Sequence, residues 1–183
     1  MKIKETPLSG CFVLSPNVFE DERGYFYESF NERVFGSKTG LSIRFVQDNQ
    51  SKSSRGVLRG LHFQKGVFAQ AKLVRVVKGK VLDVCVDLRK ESRTFGESFS
   101  VILDSINHEQ FYVPRGFAHG FLVLEDDTIF SYKCDNFYNK ESESGIIYND
   151  KELNIDWIFP KEEMIISEKD SMLPTFKDLL DEF

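Results

Sequence analysis

The sequence has 183 residues, of which 41% are hydrophobic and 14% aromatic, and its formal net charge is -5. These values fit one globular domain with a sizeable core and exclude a disordered chain. No run of basic residues is present, which excludes the clustered positive face needed for sequence-independent nucleic-acid binding. A phosphate-bearing small molecule stays compatible with this charge, because a pocket needs only a few local arginines and lysines.

The cysteines and the N-terminus indicate the compartment. Cys11, Cys85 and Cys134 are widely spaced and form no CxxC pair, so no disulfide framework is predicted. The N-terminal residues MKIKETPLSG lack the long apolar stretch of a signal peptide, and no apolar run approaches the length of a membrane span. We therefore expect a cytoplasmic protein with reduced thiols and no membrane association.

The first third of the chain reads as short strands with one short helix. CFVLSP (11–16) and GYFYESF (24–30) are predicted strands, and DERG is a turn between them. A helix is predicted to begin after the N-cap Asn31 and to end at Gly40. SIRFVQDNQS and VLRGLHFQ follow as further strands.

The rest of the chain continues the same pattern. QAKLVRVVKGKVLDVCVDL (70–88) has β-branched runs on both sides of a Lys-Gly pair, which predicts a hairpin. GFAHGFLVL (116–124) and TIFSYKCD (128–135) predict a second strand pair around an acidic turn. Thr175 and Asp178 have the spacing of a capping box, which predicts a short final helix. Many short strands at roughly 8–12-residue spacing favour a β-sandwich or barrel.

Several predicted strands carry one polar residue in an apolar row. Lys72 shares one face of its predicted strand with Val74 and Val76. His119 likewise shares a face with Phe121, and Tyr132 with Phe130. Small barrels that hold ligands have such a lining. A plainer interpretation is open for each residue, because a single Tyr or His on an apolar face is usually a core residue with a partner, and a Lys can extend from a strand end.

VLRGLHFQ carries both Arg59 and His62, although the whole chain has only 3 histidines. In a regular strand these two side chains point to opposite faces. They converge only if the strand contains a bulge, and Gly60 lies where a bulge is plausible.

The motifs that are present and absent limit the kinds of reaction that the protein is predicted to catalyse. His62, His108 and His119 are isolated, with no HxH or HExxH, so metal catalysis is not predicted. Neither GxSxG nor a P-loop nor GxGxxG is present, so covalent and nicotinamide chemistry have no motif support. Proton transfer remains: a His base, a Tyr acid and a Lys for developing negative charge fit enolisation beside a carbonyl.

The segments VLRGLHFQ, AKLVRVVKGKVLDVCVDLRKES, VPRGFAHGFLVL and SYKCDNFY together strongly resemble the dTDP-4-dehydrorhamnose 3,5-epimerases. FEDERGYFYESFN, FVQDNQSKS and ISEKD match as well, so the resemblance runs from about Leu14 to Asp170. It implies a mainly β fold, a cupin-type jelly-roll β-barrel with a few short flanking helices. We expect a single domain over 1–183, with the jelly-roll core at about 41–140 and short C-terminal helices.

The resemblance also implies a reaction and its catalytic residues. The family's usual substrate is dTDP-4-dehydro-6-deoxy-D-glucose, which is inverted at C3 and C5 without metal or cofactor. His62 corresponds to the base, Asp170 to its partner, Tyr132 to the acid and Lys72 to the enolate-stabilising lysine.

Substrate-binding residues and a homodimer are implied too. The resemblance puts Arg59, Gln47 and Asn49 near the diphosphate, and it counts His119, with Asp83 near it, among the substrate-binding residues. The residues that resemble those supplied by the neighbouring subunit's N-terminal strands are Arg23, Phe26 and Glu28, and Tyr138 resembles the aromatic that stacks on thymine.

Two small departures from the family pattern and several alternatives stay open. Ala71 stands where the family often has glycine, and Cys85 where a smaller residue is common. A single-centre epimerase acting at C3 or C5 and a cupin ketoisomerase would use the same groups. A sugar-nucleotide-binding module and a metal-dependent cupin are the remaining alternatives.

Overall fold

The computed structural model describes residues 1–180, in which short strands predominate and helices are few. The strands are β1 (Lys2–Glu5), β2 (Phe12–Ser15), β3 (Phe19–Asp21), β4 (Gly24–Phe26), β5 (Gln47–Ser53), β6 (Val57–Gln64), β7 (Lys72–Lys78), β8 (Lys80–Asp87), β9 (Ser98–Asp104), β10 (Gln110–Val113), β11 (Phe117–Val123), β12 (Thr128–Cys134), β13 (Glu143–Gly145) and β14 (Ile165–Ile166). The helices are α1 (Glu32–Thr39), α2 (Glu168–Ser171) and α3 (Phe176–Leu180).

Two sheets face each other in the manner of a jelly roll. One sheet has the strand order β1-β2-β10-β7-β12-β5, and the other has the order β13-β6-β11-β8-β9 with β14 beside β6. Buried side chains from both sheets fill the space between them, including Val74, Phe130, Cys85 and Phe121. The predicted mainly β, jelly-roll fold class is confirmed, although over residues 1–180 the two sheets stay separate and do not join into one closed barrel.

The outer faces of the sheets are covered by other parts of the chain. Helix α1 places Phe35 on the first sheet, against Leu14 and Leu73. Trp157 and Phe176, from the C-terminal region, belong to the cluster that covers the second sheet. Because β10 in the first sheet and β8 and β11 in the second are buried along nearly their whole length, the centre of each sheet forms a rigid frame for side chains that point between the sheets.

The two predicted strand pairings are wrong. β7 pairs with β10 and β12, whereas β8 pairs with β9 and β11 in the other sheet. Gly79, with a φ of 84°, marks the point where the chain leaves one sheet for the other. β11 and β12 also lie in different sheets. The apolar patterns of these strands indicate that the strands are buried. They do not indicate which strands pair, so strands that are consecutive in the chain need not pair with each other.

The local predictions at turns and helix ends are confirmed. DERG is a turn as predicted, although the strand before it is β3 (Phe19–Asp21) and not the predicted CFVLSP strand. Asn31 Oδ1 accepts the Val34 N–H at 3.1 Å, and Gly40 ends α1 with a φ of 73°. The Thr175 N–H and hydroxyl both donate to Asp178 at the start of α3. The last residues of the predicted final helix, 181–183, lie outside the described residues.

Helices in the described part of the chain are all too short or too polar to cross a membrane.

Candidate active site

A cavity of about 440 Å³ opens between the two sheets. All four predicted catalytic side chains line it: His62 from β6, Lys72 from β7, Tyr132 from β12 and Asp170 from α2. The predicted binding residues Arg59, Asn49 and His119 line it too. Residues far apart in the sequence therefore meet in one place because the sheets hold their strands in fixed register.

A bulge in β6 turns Arg59 and His62 toward the same cavity. His62 lies opposite His119 on β11, and Arg59 lies opposite Phe121, so two residues of β6 oppose one residue of β11 between these pairs. The conjectured bulge at Gly60 is confirmed. It gives the two polar side chains of this strand a common direction, which a regular strand does not allow.

Glycine is required at this bulge. Gly60 has a φ of 124°, and a Cβ atom built there would lie 2.5 Å from the Cα atom of Gly120. Beyond the bulge, Leu58 and Leu61 both belong to the cluster on the outer face of the sheet. A regular strand would put Leu58 on the same face as His62, and the bulge removes that alternation here.

His62 and Asp170 form a hydrogen-bonded pair at the cavity. His62 Nε2 lies 2.8 Å from Asp170 Oδ1, and the other carboxylate oxygen accepts the Gly60 N–H at 3.2 Å. Burial alone would raise the pKa of Asp170, but the hydrogen bond and charge of His62, the Gly60 N–H and Ser167 together lower it. Asp170 therefore stays ionised at neutral pH and fixes the imidazole ring, whose other nitrogen is the one a base would use.

His119 and Asp83 form a second pair behind the first. His119 Nε2 lies 2.9 Å and 3.0 Å from the two carboxylate oxygens of Asp83. Burial raises the pKa of Asp83, while His119 and the nearby Lys72 oppose that shift. The His119 ring also stacks on Phe130, with 6.3 Å between the ring centroids.

Lys72 and Tyr132 complete the candidate catalytic set. Burial lowers the pKa of Lys72, and the neighbouring Cys134, Asp83 and Glu143 groups favour its charged form. Burial raises the pKa of Tyr132, so its hydroxyl keeps its proton at neutral pH and can act as an acid.

The predicted nucleotide residues adjoin this set. A cavity of about 250 Å³ shares His62, Lys72 and Tyr132 with the larger one and is also lined by Gln47 and Tyr138. Gln47 is held between its neighbours: its amide donates to Asn49 Oδ1 at 3.1 Å, and its oxygen accepts the Tyr138 N–H at 3.0 Å.

Two charged residues of the site were missed from the sequence. Lys169 Nζ donates to Glu143 Oε2 at 2.6 Å, and the Tyr138 hydroxyl donates to the same oxygen at 2.9 Å. Burial would raise the pKa of Glu143, but these two donors lower it. Lys169 could have been found from its place beside Asp170 in ISEKD, whereas Glu143 lies in a polar segment, NKESESG, with no periodicity to single it out.

Arg23, Phe26 and Glu28 do not reach the His62 cavity within one chain. Arg23 pairs with Asp21 at the tip of the β3–β4 hairpin, and Phe26 is 67% exposed. Phe26 and Glu28 line a different cavity, of about 310 Å³. That a neighbouring subunit supplies these residues stays a prediction.

Within residues 1–180, His, Cys, Asp and Glu side chains form no group of three or more that could hold a metal ion. Cys11, Cys85 and Cys134 are buried and free, and the first two have their sulfur atoms 4.0 Å apart.

Comparison with known proteins identifies the family. A sequence model of the dTDP-4-dehydrorhamnose 3,5-epimerases matches residues 5–178. The dTDP-4-dehydrorhamnose 3,5-epimerase of Methanothermobacter thermautotrophicus is 52% identical over 167 residues, which cover 91% of this chain and 89% of that protein. The crystal structure of the dTDP-4-dehydrorhamnose 3,5-epimerase from Elizabethkingia anophelis is 61% identical, with a TM-score of 0.94 and 97% of each chain covered.

A more distant solved structure adds a contrast. A 3'-monoepimerase from Streptomyces bikiniensis, in complex with dTDP-quinovose, is 31% identical with a TM-score of 0.89, and the match covers 97% of this chain and 89% of that chain. The match to the family model includes every candidate site residue, from Arg23 to Asp170. The chain therefore belongs to the dTDP-4-dehydrorhamnose 3,5-epimerase family.

Proposed function

We propose that the protein converts dTDP-4-dehydro-6-deoxy-D-glucose to dTDP-4-dehydro-L-rhamnose by inverting C3 and C5 through an enolate. The observation that carries this proposal is the meeting of the His62–Asp170 pair, Lys72 and Tyr132 around one cavity. Membership of the family supports the substrate, since its members are named for this reaction.

The 4-keto group of such a sugar acidifies the hydrogens on both flanking carbons. His62 removes a proton from one face of the ring, and Asp170 holds the imidazole in its productive tautomer and stabilises the imidazolium that forms. The partly exposed position of His62 supports this role, because a base must reach the substrate.

Lys72 and Tyr132 act on the other side of the reaction. Lys72 as an ammonium stabilises the oxygen on which negative charge develops. Tyr132 returns a proton from the face opposite His62, and this inverts the centre. Together these residues supply the base, the acid and the charge stabilisation that enolisation requires, so we propose that the reaction proceeds without a metal or an organic cofactor.

Recognition of the nucleotide extends from the 440 Å³ cavity, which Arg59 lines, into the adjoining 250 Å³ cavity, which Gln47 and Tyr138 line. Arg59 contacts the diphosphate, with Gln47 and Asn49 near it, and Tyr138 stacks on the thymine ring. His119, with Asp83 behind it, contacts the sugar. The shared lining of the two cavities supports this arrangement, because Gln47 and Tyr138 line a cavity that adjoins the one lined by the proposed acid–base residues.

A homodimer completes the site in this proposal. The β3–β4 hairpin exposes Phe19, Tyr25 and Phe26, which are 65%, 57% and 67% exposed, and so offers an apolar surface to a second subunit. The partner's copy of this hairpin would then bring Arg23 and Glu28 to the substrate.

Subunit complementation tests this dimer. Arg23→Ala and His62→Asn are each expected to be inactive alone. Random exchange of subunits should restore about one quarter of wild-type activity, because half of the dimers are mixed and each has one intact site. Mixtures that stay inactive while exchange is demonstrated by mass spectrometry would exclude shared sites.

Turnover in D₂O tests the reaction. Purified protein is mixed with dTDP-4-dehydro-6-deoxy-D-glucose, and deuterium at C3 and C5 is read by NMR and mass spectrometry. Deuterium at both carbons with an L-configured product is expected. If no deuterium is incorporated while a control enzyme is active, the protein has the family fold but does not catalyse this reaction.

The second candidate is a single-centre epimerase. It is favoured by the similarity to the Streptomyces bikiniensis 3'-monoepimerase, whose fold matches over nearly the whole chain. The D₂O experiment separates the two candidates, since a single-centre epimerase incorporates deuterium at one carbon only.

A further inference from the structure

Lys72 is the first residue of β7, and its position depends on how that strand end is held. Lys72 pairs with Val113 of β10 on one side and with Cys134 of β12 on the other, and the sheet pairing of β7 ends there. Strand ends are prone to fray unless something continues the hydrogen bonding. The side chain of Lys72 has a flexible four-carbon stem, so the backbone at its base has to be fixed if its ammonium is to be fixed.

Asp135 continues the hydrogen bonding by one residue. Its carboxylate accepts the Ala71 N–H at 2.7 Å, and its own N–H donates to the Ala71 carbonyl at 3.2 Å. Ala71, directly before Lys72, thus makes two hydrogen bonds with Asp135, directly after β12. Because β12 also carries Tyr132, these hydrogen bonds fix the start of β7 relative to the strand of the proposed acid.

Asp135 is itself held in place. Arg115 Nε donates to its second carboxylate oxygen at 2.8 Å, while the first oxygen binds Ala71. The Asp135 side chain is only 11% exposed, whereas that of Arg115 is 49% exposed. The carboxylate is therefore an ordered acceptor, and the arginine binds it from the solvent side.

The next residue fixes the loop that leads to Lys72. Asn136 donates its amide to the Val67 carbonyl at 2.9 Å, and its own carbonyl accepts the Gln70 side chain at 2.8 Å. Val67, Gln70 and Ala71 are thus each hydrogen-bonded to Asp135 or Asn136. Fastening a loop at this many points is typical of a segment whose shape matters to a neighbouring site.

We propose that Asp135 is a positioning residue that holds the start of β7 and thereby sets the place of the Lys72 ammonium. The inference rests on the proposed function, in which Lys72 stabilises the enolate. Because charge stabilisation depends steeply on distance, even a displacement of about 1 Å is expected to lower the rate by roughly 10²-fold.

A double-mutant cycle in turnover tests the inference. Asp135→Ala is expected to lower kcat by about 10-fold or more with a much smaller change in KM. In a Lys72→Met background the same change should lower kcat by less than about 2-fold, because there is no ammonium left to position. Asp135→Asn, which keeps an oxygen acceptor for the Ala71 N–H, should stay within about 3-fold of wild type.

Amide hydrogen exchange supplies a readout without substrate. Asp135→Ala should speed exchange at Ala71 and Lys72, and Asp135→Asn should not. Glu163→Ala is the matched control: it removes a carboxylate paired with Arg55 at 3.0 Å, away from Lys72, and should change neither kcat nor exchange at Lys72.

The outcomes separate this inference from the proposed function. Equal loss of kcat from Asp135→Ala in both backgrounds, or unchanged exchange at Ala71, would overturn the positioning role while leaving Lys72 in the reaction. Wild-type activity in Lys72→Met would overturn the role of Lys72 in the proposed function and the positioning inference with it.

Discussion

The protein contains two histidine–aspartate pairs, side by side, with nearly the same geometry and opposite electrostatics. His62 and His119 lie opposite each other on neighbouring strands, and their nitrogen–oxygen distances to Asp170 and Asp83 are 2.8 Å and 2.9 Å. The open pair, His62–Asp170, has side chains 29% and 6% exposed, whereas the buried pair, His119–Asp83, has side chains 6% and 0% exposed.

The surroundings, and not the residue types, set the difference between the pairs. The carboxylate of the open pair has extra donors, Gly60 and Ser167, which help to lower the pKa of Asp170. Burial is the largest single influence on both carboxylates, but at Asp83 it outweighs the opposing contributions of His119 and Lys72 and raises the pKa. Groups of one kind with pKa values pushed apart usually divide their roles. This difference supports the proposed division of roles, in which the open pair transfers the proton and the buried pair contacts the sugar and supports the site.

The largest effect is expected from His62→Asn in the open pair. Removal of the base should lower deuterium incorporation at both carbons by about 10³-fold or more. Because His62 is partly exposed and the replacement is polar, the thermal unfolding temperature should change little. The measurement is NMR of the substrate in D₂O. Incorporation at the wild-type rate would show that His62 is not the base and that the open pair does not have the proposed role.

Asp170→Asn should lower kcat by about 10²-fold, because the amide no longer favours the productive tautomer or stabilises the imidazolium. Binding of dTDP, followed by calorimetry, should stay close to wild type. That control distinguishes loss of chemistry from loss of the pocket. A variant with unchanged kcat would show that Asp170 only holds α2 in place.

The fold was predictable in part from the sequence. Local signals such as the N-cap Asn31 and the capping box at Thr175 depend on nearby residues and were predicted correctly. Strand pairing was not, because an apolar strand pattern says that a strand is buried and not which neighbour it has. Thus β7 and β8 were paired with each other although they lie in different sheets.

The candidate site shows the same limit. His62, Lys72 and Tyr132 were identified as polar residues in apolar strands, and Asp170 only through the family resemblance, since nothing local relates ISEKD to β6. Glu143 was missed because its neighbours are polar and its partners, Tyr138 and Lys169, come from separate parts of the chain. Contacts between distant segments depend on tertiary packing, which strand parity does not encode.

Asp83→Ala probes the buried pair and should act mainly on stability. The change leaves the His119 ring nitrogen without its carboxylate partner in a fully buried place, which is expected to lower the free energy of unfolding by about 2 kcal/mol. Asp170→Ala should lower it by less, because water in the cavity can reach His62. Urea unfolding of both variants measures the contrast. Equal losses would mean that the burial difference has no energetic consequence.

The smallest effect, and the sharpest test of the electrostatic contrast, is the pH dependence of stability. The folded pKa of Asp170 lies below its ordinary value of 3.8, so its ionised form contributes stability above that pH, and the contribution is lost as the pH falls through the folded pKa. The folded pKa of Asp83 is raised above 3.8, so ionisation of Asp83 opposes folding and stability is regained as the pH falls from the raised pKa toward 3.8.

Replacing Asp170 by Asn should therefore flatten the loss of stability in acid below about pH 4. Replacing Asp83 by Asn should steepen the rise of stability with pH just above about pH 4. Urea unfolding of each variant and of the wild type at intervals from about pH 2 to pH 6 measures both slopes. Slopes that change in the same direction in the two variants would contradict the opposite shifts on which the division of roles depends.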